Sequence, residues 1–91
     1  MGKVLKSATG ILGHIQFRLI LEGYGTCEVT FPAPAARVHR IGRNWTVDIP
    51  SARSGAEFDA ALRIIRDVGA EFDCNNFRVP GEAALLSSSN R

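Results

Sequence analysis

Cysteine and histidine are scarce in this chain of 91 residues, which contains two of each. Cys27 and Cys74 lie far apart and form no C-x-x-C pair, so neither structural zinc nor a dithiol redox motif is predicted. His14 and His39 have no partner at a spacing typical of a catalytic pair. The sequence therefore predicts a non-enzymatic protein without metal or cofactor, and two reduced thiols in a cytoplasmic protein.

Long apolar runs are also missing. No stretch approaches the roughly 20 residues of a membrane span, and the first residues do not form a signal peptide, so no membrane partner is expected. The formal net charge of +2 is too small to indicate nucleic acid by itself. Hydrophobic residues make up 45% of the chain, as in ordinary globular proteins. We expect a single α+β domain over residues 1–86 and a disordered tail over residues 87–91.

Alternating apolar residues are the main strand signal in the sequence. Residues 13–21 alternate with a period of two, as do residues 27–31, and the glycine-rich segment 22–25 between them predicts a hairpin turn. The same period over residues 45–49 predicts a further strand, ended by a proline. A shorter strand is expected over residues 38–41.

One helix has clear start and stop signals. Ser54 and Glu57 fit a capping box, in which the Glu57 carboxylate would bind the Ser54 amide, and Gly69 fits the C′ position, so the helix is predicted over residues 55–68. Two short strands with a turn at residues 73–76 are predicted to follow. The fold class is α+β: a two-layer sandwich in which one helix covers a mostly antiparallel sheet of four to five strands. The apolar stripe of the helix would comprise Phe58, Ala61, Leu62, Ile65 and Val68.

The segment after this helix carries a family resemblance. In residues 58–80 the predicted helix is followed by G-A-E-F-D at residues 69–73 and by F-R-V-P at residues 77–80. This order resembles the helix, "G-A-x-[FW]-D", polar turn and "[WF]-x-V-P" of HARP-like domains, which implies framework roles for Gly69, Phe72, Asp73, Phe77 and Pro80. These are small modules found beside DNA-remodelling helicase motors, so the resemblance implies a DNA-associated role. It covers about a quarter of the chain, which has Phe77 where the family commonly has tryptophan. No motor is present, and the activity of the motor is not implied.

Arginines and one exposed aromatic residue are the candidate contacts for a partner. The stretch around residues 37–43 is the densest basic segment, and arginine pairs well with phosphate and with carboxylate. An aromatic side chain between two glycines of a turn is a plausible contact residue. The candidates are Arg18, Tyr24, Arg37, His39, Arg40, Arg43 and Arg78.

Three functions remain open from the sequence. The first is a protein-interaction or oligomerising accessory domain, which could come from a mobile element, because open sheet edges invite pairing with another chain. The second is a nucleic-acid-binding domain whose arginine-rich hairpin contacts phosphates. The third, ranked last, is a small enzyme in which one histidine works with Asp48 or Asp73.

Overall fold

The computed structural model describes residues 3–35 and 42–79 of the chain. Its elements, in chain order, are β1 (Val4–Ser7), α1 (Ala8–Leu21), β2 (Ala33–Pro34), β3 (Trp45–Thr46), α2 (Gly55–Glu71) and β4 (Phe72–Asn76). Within the described ranges β1 pairs with β4 in parallel and β2 pairs with β3 antiparallel, so the chain forms two helices and two sheets of two strands each. Neither helix of these ranges is long and apolar enough to cross a bilayer.

The predicted four- or five-stranded sandwich is therefore wrong, although the class α+β holds. Residues 13–21, expected to be a strand, belong to α1. The expected partner strand over residues 27–31 contributes only an isolated bridge between Glu28 and Ser51. The strand expected over residues 45–49 shortens to Trp45 and Thr46. The strand predicted at residues 38–41 and the tail at residues 87–91 lie outside the described residues.

Helix α1 forms because its core residues recur at helical spacing. Ser7 is the N-cap, and its hydroxyl oxygen accepts a hydrogen bond from the Gly10 amide at 3.1 Å. The period of two that predicted a strand counted Phe17 and Leu21 as core, whereas both side chains are exposed in the helix. The buried stripe has steps of three or four positions and consists of Ala8, Ile11, Ile15 and Leu19.

The glycines predicted to turn a hairpin end α1 instead. Gly23 has a φ of 87°, and its amide binds the Ile20 carbonyl at 3.0 Å, while the Tyr24 amide binds the Leu19 carbonyl at 2.8 Å. These two bonds define a Schellman motif with Gly23 at the C′ position. Tyr24 occupies the C″ position and packs against the core, so the prediction of an exposed hairpin-tip aromatic is wrong.

Helix α2 is the element that the sequence predicts best. The Ser54 hydroxyl accepts from the Glu57 amide at 3.1 Å, as expected. The Glu57 carboxylate accepts from the Arg53 amide at 3.1 Å, one residue before the predicted partner. The predicted stripe is rotated, because Phe58 and Leu62 are 41% and 47% exposed. The buried face consists of Glu57, Ala60, Ala61, Ile64, Ile65, Val68 and Gly69.

Gly69 lies inside α2 rather than after it, because the helix continues to Glu71. A Cβ at Gly69 would stand 2.5 Å from Cδ of Arg43, so the glycine allows a close approach and does not supply a left-handed C′ residue. Strand β4 follows directly, and residues 73–76, predicted as a turn, lie within it. Residues 77–79, predicted as the last strand, form no strand.

The core lies between the two helices and the segment around Trp45. Trp45 is fully buried, and its indole Nε1 donates to the Phe72 carbonyl at 3.0 Å. Ion pairs join Arg18 to Asp67 and Arg63 to Glu22, so the chain direction of α1 runs against that of α2. This arrangement buries one face of each helix and decides which side chains remain at the surface.

Candidate interaction site

The side of α1 opposite its buried stripe carries large apolar residues. Phe17, Ile20 and Leu21 are 58%, 60% and 66% exposed. Gly13 and Gln16 are exposed as well and lie on the same side at the helical spacing of three or four residues. We call these five residues the outer face of α1.

The composition of α1 is unusual for a helix at a protein surface. Arg18 is its one residue with a full charge, and apolar residues lie on both its inner and its outer side, with Gln16 as the polar residue of the outer side. A surface helix normally carries charged and polar residues opposite its buried stripe. By contrast, α2 presents Asp59, Arg63 and Arg66 to solvent opposite its buried stripe. The outer face of α1 therefore has the character of a surface that another molecule covers.

Gly13 adds a second unusual feature to this face. Glycine inside a helix costs about 1 kcal/mol relative to alanine. No heavy atom lies within 4 Å of a Cβ built at Gly13, so no contact within the described part of the chain requires the glycine. A missing side chain on a helix surface does allow another backbone or a large side chain to approach closely.

Ion pairs border the outer face on the side of α2. Arg63 donates to both carboxylate oxygens of Glu22, with a distance of 3.1 Å from Nη1 to Oε2. This hydrogen-bonded pairing lowers the pKa of the Glu22 carboxyl and raises the pKa of Arg63. The weaker pair of Arg18 and Asp67 spans 3.5 Å. The charges at this border are thus neutralised locally and leave the apolar side chains as the dominant feature.

The predicted contact residues that the structure describes lie in different parts of the fold. Arg18 pairs with Asp67 beside α2, whereas Arg43 lies over the Trp45 ring at 5.0 Å and donates from Nε to the Trp45 carbonyl at 2.9 Å. Burial lowers the pKa of Arg43. Arg78 follows β4 and is exposed. The remaining candidates, Arg37, His39 and Arg40, lie outside the described residues.

Among the groups weighed for catalysis or metal binding, the structure describes His14, Asp48, Asp73 and both cysteines. His14 contacts the edge of the Phe72 ring, with 5.2 Å between ring centroids. Among the residues that the structure describes, no group of three or more histidine, cysteine or acidic side chains could hold a metal ion. Cys27 and Cys74 are free and buried, which contradicts the turn position expected for Cys74. Burial raises the pKa of the Cys27 thiol.

Sequence reasoning did not identify the outer face of α1. An assignment of residues 13–21 to a strand makes Phe17 and Leu21 core residues and makes Gly13 the first residue of that strand. The available signal was that Ile11, Ile15 and Leu19 fit a helical stripe equally well. A helix drawn on that stripe leaves Phe17, Ile20 and Leu21 on the other side.

Comparison with protein-family models, curated proteins and solved structures gives no match to this chain. The resemblance to HARP-like domains therefore stays a prediction. The polar turn that this resemblance implies at residues 73–76 is a strand in the structure. The function is accordingly argued from the geometry alone.

Proposed function

We propose that this chain is a non-enzymatic oligomerising module that pairs with a second copy of itself through the outer face of α1. The observation that carries the proposal is the exposure of Phe17, Ile20 and Leu21 on a helix that is apolar on both sides. A cytoplasmic location belongs to the same proposal and fits the two free cysteines.

The outer face has a shape that complements itself. Gly13 and Ile20 are seven residues apart, which is about two helical turns and places them on one line along α1. When two copies of α1 pack antiparallel about a two-fold axis near residues 16 and 17, Ile20 of each copy lies opposite Gly13 of the other. The large side chain then fills the space that the glycine leaves, and the two helix dipoles run in opposite directions.

The amount of apolar surface predicts a weak dimer. Three side chains that are more than half exposed leave on the order of 300 Å² of apolar surface on each copy. Burying both copies of this surface gives about 15 kcal/mol at ~25 cal/mol per Å². Association costs roughly 4–15 kcal/mol, which leaves about 0–11 kcal/mol of net binding free energy. The buried area of about 600 Å² in total lies well below that of stable interfaces, so we place the affinity at the weak end of this range, about micromolar or weaker.

Sedimentation velocity over a range of concentrations tests this function. The wild-type chain should shift from monomer to dimer as its concentration rises through the micromolar range. Ile20→Gln should remain monomeric at every concentration, because it places a polar group at the centre of the contact. Phe58→Gln is the matched control, since Phe58 is an exposed apolar residue of α2 outside the outer face and its loss should leave the transition unchanged.

Two results would contradict the proposal. One is a wild-type chain that remains monomeric up to millimolar concentration. The other is a dimer that Phe58→Gln weakens as much as Ile20→Gln does, because that would place the contact on another surface.

A further inference from the structure

Basic side chains from three parts of the chain meet at the C-terminal end of α2. The Lys3 ammonium donates to the Gly69 carbonyl at 2.7 Å. The aliphatic part of Arg43 lies against Gly69, where a Cβ would approach its Cδ to 2.5 Å. Arg66 lies one turn earlier on α2 and lines the same cavity as Lys3 and Gly69. Gly69 is therefore the point where the cationic ends of Lys3 and Arg66 share a cavity, whereas the charged end of Arg43 lies over the Trp45 ring.

The negative charge nearby does not fully balance Lys3 and Arg66, the two cations that line the cavity. Asp73 is the one carboxylate that pairs with them among the described residues, at 3.5 Å from the Lys3 ammonium. The end of the helix dipole supplies about half a negative charge. Glu71 lies about 100° or more around the helix from Arg66, Gly69 and Ala70, so its side chain starts on another side. Roughly half a positive charge remains without compensation by this count.

Arg66 carries most of this excess. It forms no ion pair in the described part of the chain, whereas Arg18 and Arg63 each pair with a carboxylate. The residues three and four positions away on α2 are Leu62, Arg63, Gly69 and Ala70, and none of them is acidic.

A cavity of about 340 Å³ opens beside these groups. Its volume falls at the lower end of the range of small-ligand pockets, roughly 300–1,000 Å³. Gly42 and Gly69 contribute no side chain to its wall. Its lining residues are Lys3, Gly42, Arg66, Gly69 and Ala70.

We propose that this cavity binds a phosphate group, with Arg66 as its main ligand and Lys3 as a second cation. A guanidinium without a carboxylate partner offers two parallel N–H donors that match two phosphate oxygens. The phosphate can come from a free phosphate or nucleotide, or from a nucleic-acid backbone, because the recognition chemistry is the same.

An NMR titration of the full chain with sodium phosphate tests the proposal. Sodium chloride at matched ionic strength is the reference. The amide signals of Gly42, Gly69 and Ala70 should shift and saturate in the millimolar range of phosphate, and chloride should not reproduce the shifts. Arg66→Gln should weaken the affinity at least about tenfold, which is the size expected for the loss of a charged hydrogen-bonding partner.

Two further variants make the test specific. Arg63→Gln is the matched control, because Arg63 lies on the same helix but pairs with Glu22. The affinity of this variant for phosphate should stay within about twofold of that of the wild type. Asp73→Asn should tighten phosphate binding, because it removes the carboxylate that competes for Lys3 while keeping an oxygen acceptor.

A short single-stranded oligonucleotide and a nucleoside diphosphate distinguish the sources. If the oligonucleotide binds more tightly than the diphosphate and its affinity falls steeply at high salt, the site is assigned to a nucleic-acid backbone. Binding of the diphosphate at least as tight as that of the oligonucleotide assigns it to a small molecule. Absence of saturable shifts with all three probes, or equal weakening by Arg63→Gln and Arg66→Gln, would overturn the proposal.

Discussion

The side chain of Asn44 pairs with the backbone of Cys74 as a neighbouring strand would. Its Oδ1 accepts from the Cys74 amide at 2.7 Å, and its Nδ2 donates to the Cys74 carbonyl at 2.9 Å. The amide and carbonyl of one strand residue point to the same edge, so Asn44 occupies the edge of β4 that β1 does not use. One side chain thus satisfies both backbone hydrogen-bonding groups of the buried residue Cys74 and holds the segment that carries Trp45 against β4.

Asn44→Ala should therefore destabilise the fold by about 2–3 kcal/mol, because two backbone groups of a buried residue lose their partners. Urea denaturation followed by circular dichroism measures the change. Asn75→Ala is the control, since Asn75 is an exposed neighbour on the same strand and should change stability by less than about 0.5 kcal/mol. Equal losses for both variants would contradict the role of Asn44.

Gly69→Ala should lower stability even though alanine favours helix by about 1 kcal/mol. The added methyl group would displace Arg43, and overpacking of this kind costs about 1–3 kcal/mol. In an Arg43→Ala background the same change should become stabilising, because the methyl group then has room. A double-mutant cycle of unfolding free energies measures this coupling, and additive effects would show that the two residues act independently.

The Glu22–Arg63 pair should make stability depend on acid pH. Because the folded-state pKa of Glu22 is lowered below its ordinary value of 4.5, its contribution is present above that value and is lost as pH falls through the lowered pKa. Glu22→Gln should therefore be less stable than wild type at pH 7, and the two should converge in acid. Thermal unfolding of both proteins between about pH 2 and 7 measures this difference in stability, because the range spans the usual pKa values of carboxyl groups.

Glu28→Gln is the control for this pH series, because Glu28 forms no ion pair among residues 3–35 and 42–79. Its stability should follow wild type at each pH. A Glu22→Gln variant that keeps a constant difference from wild type down to the lowest pH would contradict the assignment.

The two helices differ in how well the sequence predicts them. Helix α2 has local signals, a serine cap followed by Glu57 and charges on its outer side, so its start was predicted correctly. Its end was missed because Gly69 reads as a terminator in sequence, whereas contact with Arg43 is its actual reason. That reason involves a residue 26 positions away, which local patterns do not report.

Helix α1 was missed because its outer side is apolar. An amphipathic helix shows only the helical period in its apolar residues, but a helix with apolar residues on two sides is also compatible with the strand period of two. In α1 the residues that fit this period of two are Ile15, Phe17, Leu19 and Leu21. The feature that hid the helix is the same feature that makes its outer face a candidate site. The cavity beside Arg66 likewise required coordinates, because only they place Lys3 and Gly69 next to this side chain.

Gly13→Ala should have opposite effects on folding and on association. The methyl group meets no atom within 4 Å, so the monomer should gain about 0.5–1 kcal/mol from better helix propensity. In the dimer the same methyl group would collide with Ile20 of the second copy and weaken association. Unfolding at low concentration and sedimentation at high concentration separate the two effects, and a variant that associates more tightly would contradict the proposed packing.

The most direct test of the pairing is an isotope-filtered NOE measurement on a mixture of labelled and unlabelled chain at millimolar concentration. The antiparallel arrangement predicts intermolecular NOEs between the Hα protons of Gly13 in one copy and the methyl protons of Ile20 in the other. Intermolecular NOEs confined to Phe58 and Leu62, or none at any concentration, would contradict association through the outer face of α1.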